Sequence, residues 1–141
     1  MKKIVFLSIF LVFTLTACIG PGLGESETEI TKDYVLINTG RNKSLLVKRN
    51  GEFFDFVVPA TVIATATKDQ YIFAKQQKYI DDSNSEKDGQ IDTSEDFYWI
   101  VTVSSEDVKG PLSLDEFNDT LQELGVNSKM KWVKNEALNL K

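Results

Sequence analysis

Short runs rich in β-branched and aromatic residues, cut by polar turn residues, fill the chain from residue 34 to residue 103. This is the pattern of successive strands, not of amphipathic helices. Residues 34–39 (YVLINT) read as the first strand, and 40–43 (GRNK) turn it. Residues 44–49 (SLLVKR) form the next. Asn50-Gly51 is the strongest hairpin signal in the chain, because a type I′ turn needs positive φ at both central positions. Residues 52–58 (EFFDFVV) return from it. Pro59 has no N–H to give to a ladder and marks an edge or a break. Residues 61–67 (TVIATAT) are turned by Lys68-Asp69-Gln70 and lead into 71–76 (YIFAKQ), although AKQQKY also suits a helix. Residues 81–96 read as a long polar loop, and 97–103 (FYWIVTV) as the most strongly patterned strand of all.

Past that strand the period changes. Lys109-Gly110-Pro111 breaks the extended run. Ser113 followed by Glu116 is a capping box, in which each residue satisfies a backbone N–H of the other. Leu114, Phe117, Leu121 and Leu124 then recur at helical spacing, and Gly125 supplies the stop. Residues 129–134 (KMKWVK) read as a short closing strand, followed by a frayed tail. The fold class is α+β: an antiparallel sheet of six or seven strands with one helix packed on one face. Trp99 and Trp132 read as core aromatics rather than ligand platforms, since large aromatics dominate small cores. The run Lys75-Gln76-Gln77-Lys78 reads as a solvated strand end.

The N-terminus carries a different signal. Met1-Lys2-Lys3 gives a positive start, and IVFLSIFLVFTL is an apolar run too short for an ordinary membrane span. Leu15-Thr16-Ala17-Cys18 follows, with small residues before the only cysteine of the chain. This is a bacterial lipobox, in which Cys18 is acylated on sulfur, with palmitate among its acyl chains, and becomes the first residue of the mature protein. Two or more acyl chains, at about 0.8 kcal/mol per buried methylene, anchor a protein almost permanently. The expected organisation is a signal peptide over 1–17, a lipidated Cys18 with a flexible tether over 18–33, a globular domain over 34–135 and a tail over 136–141. The expected location is the extracytoplasmic face of the cell membrane.

Removing residues 1–17 takes away Lys2 and Lys3 and no acid, so the net charge moves from -5 to -7. That balance disfavours nucleic acid as a partner. With Cys18 lipidated no thiol remains for a disulfide, so the core alone must stabilise the fold.

At residues 71–76 (YIFAKQ), 97–101 (FYWIV) and 110–117 (GPLSLDEF) the chain resembles an uncharacterised family of small Gram-positive bacterial lipoproteins, a domain of unknown function. The resemblance spans most of residues 34–127. It implies a lipoprotein with one compact domain, and it brings no activity, ligand or catalytic residue with it.

Candidate chemistry is narrowed by what is missing. The chain has no histidine, which removes Ser-His-Asp and Cys-His nucleophilic sites and nearly every zinc site. The glycines at 20, 22 and 24 lie in the tether and not after a strand, so they form no phosphate loop. A carboxylate pair or a Ser-Lys arrangement is what remains for catalysis. Residues 84–95 (NSEKDGQIDTSE) fit part of a calcium loop. Asn84, Glu86, Asp88 and Glu95 take the side-chain positions, Gln90 the backbone position and Asp92 the water-bridged one. Gly89 would allow the bend. Against calcium stand Asn84 where Asp is nearly obligatory, the extra length of Glu86, and a strand where an exiting helix is needed. The plainer reading, an acidic hairpin loop tipped by Asp88-Gly89, is the stronger one. The reading of the whole is a non-catalytic, lipid-anchored binding or accessory domain whose partner is another envelope or exported protein. A small carboxylate-based cell-wall hydrolase, or an inhibitor of one, is the alternative, and a calcium-responsive loop on the same domain is a third.

Overall fold

The computed structural model describes residues 25–84, 89–127 and 129–138. Among them are nine strands and one helix. The strands are β1 (Glu25–Glu29), β2 (Tyr34–Thr39), β3 (Ser44–Asn50), β4 (Phe53–Val58), β5 (Val62–Lys68), β6 (Tyr71–Tyr79), β7 (Ile91–Thr102), β8 (Asp107–Leu112) and β9 (Val133–Lys134). The helix α1 spans Leu114–Glu123. The expected single sheet of six or seven strands is instead two antiparallel sheets, ordered β1-β2-β3-β4 and β8-β7-β6-β5-β9. The division falls at residues 59–61. Pro59 cannot extend the β3–β4 ladder, and Thr61 already pairs with Gln77 across two backbone hydrogen bonds of 2.9 and 3.0 Å.

Alternation along the central strands builds three layers. Ile72 and Ala74 of β6 and Val101 of β7 face Tyr34, Leu36, Leu46 and Val58 of the first sheet. Phe73, Tyr98 and Ile100, on the opposite face, pack against Phe117 and Leu121 of α1. So β6 and β7 are covered on both sides, by a sheet and by a helix. The sheet face opposite the helix is core, whereas the helix covers only part of the other face.

Four further expectations change. Residues 25–29, expected in the tether, form β1 and pair with β2 from Glu25↔Thr39 to Glu29↔Val35. The hairpin at Asn50-Gly51 is shifted by one residue. Asn50 pairs with Phe53, so Gly51 and Glu52 are the central pair. Only Gly51 has positive φ there (63°), the type II′ pattern. Lys109-Gly110-Pro111 does not end the sheet but lies in the edge strand β8. Tyr98 pairs with Leu112 and Ile100 with Lys109, leaving Gly110 and Pro111 in a bulge where no ladder N–H is required. Finally, Leu114 and Leu124 are exposed, and only Phe117, Thr120 and Leu121 of the helix are buried.

The capping box forms as read. The Ser113 Oγ accepts from the Glu116 amide at 3.3 Å, and the Ser113 amide donates to the Glu116 carboxylate at 2.8 Å. Gly125, at φ 65°, closes the other end. Its N–H reaches Gln122 and that of Val126 reaches Leu121, at 3.0 and 2.9 Å, the paired bonds of a Schellman motif. Residues 135–138 are held down. The buried Asn135 side-chain amide lies 2.9 Å from Asn38 Oδ1, 2.8 Å from Ser44 Oγ and 3.2 Å from the Val62 carbonyl, bridging both sheets. Leu138 is also buried.

Candidate functional site

Strand alternation puts Phe73, Lys75 and Gln77 of β6 on the helix-side face of the second sheet. Helix α1 covers Phe73 but does not extend over the other two. The register gives Lys75 the neighbour Tyr98 and Gln77 the neighbour Asp96. One step further the pairing shifts, with Lys78 opposite Asp92, so Thr93, Ser94 and Glu95 bulge from β7 with nothing opposite them. On the other side, β5 carries its own shift between Val62 and Ala64, and residues 132–134 return alongside. The result is an open cavity of about 420 Å³, within the range of roughly 300–1,000 Å³ usual for small-molecule sites.

Its floor is apolar, made by Ile63, Ala64 and the Tyr98 ring, with Trp132 as an aromatic wall. Tyr98 stacks on Phe117 at 4.8 Å and meets Trp132 edge-on at 6.3 Å, so the helix core fixes both rings. The polar rim is Lys75, Gln77, Thr93 and Lys134. Asp96 organises part of that rim. One of its oxygens takes the Lys75 ammonium at 2.7 Å, and the other takes the Gln77 amide at 2.8 Å. Lys75 also lies 5.8 Å from the Tyr98 ring centre. The hydrogen bond to Asp96 holds the Lys75 ammonium above the usual lysine range, against the opposing effect of desolvation. Lys134 is exposed and makes no ion pair among the described residues. The run read as a solvated strand end therefore supplies two cavity residues, Lys75 and Gln77, while Gln76 is buried on the other face. Continuing the Phe73 alternation two more steps would have found them.

Trp99 is structural. Its indole N–H donates to Gln76 Oε1 at 2.6 Å, and the Gln76 amide donates to the Pro59 and Ala60 carbonyls, each at 3.1 Å. Gly110 lies flat on the ring: a Cβ there would come within 2.6 Å of it.

The acidic segment is shorter than a 16-residue loop, because β7 begins at Ile91. The Gly89 amide donates to the Ile80 carbonyl at 2.8 Å and the Ile80 amide to the Gln90 carbonyl at 3.0 Å, which closes the turn. Asn84 sits in a turn and donates its amide to Asp82 Oδ1 at 3.1 Å. Asp92 and Glu95 stand on β7, and Asp92 Oδ1 accepts from the Ser94 amide at 3.0 Å. Glu86 and Asp88 lie outside the described residues, as does Cys18. Among the described residues no three Asp, Glu, His or Cys side chains converge in a metal-binding group.

Residues 31–136 match the family model described as "Protein of unknown function (DUF3997)". The chain belongs to this family. The match opens just before β2 and closes one residue past Asn135, so it takes in the cavity and the inter-sheet bridge. No curated protein and no solved structure matches the chain.

Proposed function

We propose that this family member is a lipid-anchored, non-catalytic binding or accessory domain on the extracytoplasmic face of a Gram-positive cell membrane. The observation that carries the reading is Leu15-Thr16-Ala17-Cys18, placed behind a short apolar run and seven residues ahead of the first strand. Seven extended residues span at most about 25 Å, so acyl chains on Cys18 would hold the domain close to the bilayer. The partner is then another component of the envelope or an exported protein. Two features favour binding over catalysis. The chain has no histidine, and the cavity lining includes no carboxylate among the described residues. Asp96, just behind the rim, is already engaged by Lys75 and Gln77.

Metabolic labelling with a palmitate analogue in a Gram-positive host tests the anchor. The wild-type chain should take up label and sediment with membranes, and Cys18→Ala should do neither. Equal labelling of the two, or a wild-type chain that stays soluble and unlabelled, overturns the reading. Release of soluble fragments from purified cell walls by the wild-type protein would overturn the non-catalytic part.

A further inference from the structure

We infer that the cavity between β5, β6, β7 and residues 132–134 binds an acidic saccharide, a sugar ring bearing a carboxylate. The inference deepens the envelope-binding reading above and rests on it. The cavity joins an apolar floor and an aromatic wall to a rim of mixed donors and acceptors. A sugar ring has the matching surface, with a C–H face that lies on Trp132 and hydroxyls that both donate and accept at its edge. Asp96 holds Lys75 and Gln77 in place before any ligand arrives, which lowers the ordering cost of binding. It uses one Lys75 hydrogen and one Gln77 hydrogen. One ammonium hydrogen beyond those facing Asp96 and Tyr98, the second amide hydrogen and the Gln77 carbonyl oxygen remain available, together with the Thr93 hydroxyl.

The charge pattern selects the acid. Asp96 neutralises Lys75, whereas Lys134 at the rim has no anionic partner among the described residues and is where a carboxylate would settle. A phosphate ligand fits less well, because one of the two rim cations is already paired and no arginine lines the wall. A purely apolar ligand would leave the Lys75–Asp96–Gln77 group covered and without water.

The test uses the full chain, lipidated and held in detergent micelles, titrated calorimetrically with two disaccharides. One is N-acetylglucosaminyl-N-acetylmuramic acid, which carries a carboxylate; the other is the neutral chitobiose. The acidic disaccharide should bind about fivefold more tightly than the neutral one. Lys134→Ala should abolish that preference by weakening the acidic disaccharide, with the melting temperature unchanged. Trp132→Phe, which keeps an aromatic in the core, should weaken both sugars. Binding of neither sugar, or a preference for the acid that survives Lys134→Ala, overturns the inference. Failure here leaves palmitate labelling of Cys18 intact, so the two readings fail separately. Sedimentation with insoluble cell walls, reversed by the acidic disaccharide, would assign the polymer as the source. Disaccharide binding without sedimentation would assign a soluble fragment.

Discussion

At the scale of single residues, glycine positions that look alike in sequence carry different demands. Gly51 and Gly110 both have positive φ, at 63° and 150°. A methyl group at Gly51 meets open space, whereas at Gly110 it would collide with the Trp99 ring at 2.6 Å and with the Tyr98 carbonyl at 2.9 Å. Gly51→Ala should therefore cost only the backbone term, about 1–2 kcal/mol. Gly110→Ala should cost at least about 3 kcal/mol, because backbone strain adds to overpacking. Urea midpoints of the two variants check the order, and equal losses would mean that Trp99 moves aside without cost. The sequence offered Gly110-Pro111 only as a breaker. Nothing local shows that a glycine lies against a ring eleven positions earlier in the chain.

At the scale of elements, the helix was the most legible part. Its start, capping box and glycine stop are local chemistry, and all three formed where the residues placed them. The Ser113 amide and hydroxyl hold the Glu116 carboxyl below its usual range. A carboxyl depressed in the folded state stabilises the fold above its unfolded pKa, near 4.3. It loses that contribution as pH falls through the lower folded value. The stability gap between wild type and Glu116→Gln should thus be widest at neutral pH and should shrink in acid below about pH 4. Urea titrations at stepped pH measure it, and a gap that does not vary with pH would rule out the ionised cap. Strands were legible where branched and aromatic residues were dense, and illegible where pairing partners did the work. β1 is Glu-rich and β8 contains Gly-Pro, and each is an edge strand held by a single neighbour. The edge β4 is a different case, with Phe53 and Phe56 each about three-quarters exposed.

At the scale of the whole molecule, two sheets and a helix pack through apolar cores, and a buried polar bridge ties the sheets together. Asn135 links β2, β3 and β5 from one buried amide. Asn135→Ala should leave buried acceptors without a donor and cost about 1–3 kcal/mol. Chemical denaturation followed by tryptophan fluorescence reads the loss. A loss below about 0.5 kcal/mol, the size of an ordinary surface change, would show that the amide is not needed to bridge the sheets. The cavity belongs to this scale too. Lys75, Gln77, Thr93 and Trp132 come from three separate segments, and the shifts in β5 and β7 open the space between them.

Features that depend on neighbours along the chain were legible in the residues alone. These were the β-rich α+β class, the capped helix, most strand positions, the Leu-Thr-Ala-Cys run that ends at Cys18 and the exclusion of histidine chemistry. Tertiary structure decided which strands pair, and so divided one expected sheet into two. It formed β1 from residues 25–29, placed Gly110 on Trp99, and brought Lys75, Gln77 and Asp96 to the mouth of a cavity. Propensity, capping and charge act within a few residues, whereas sheet partners and cavities depend on contacts between residues far apart in the chain.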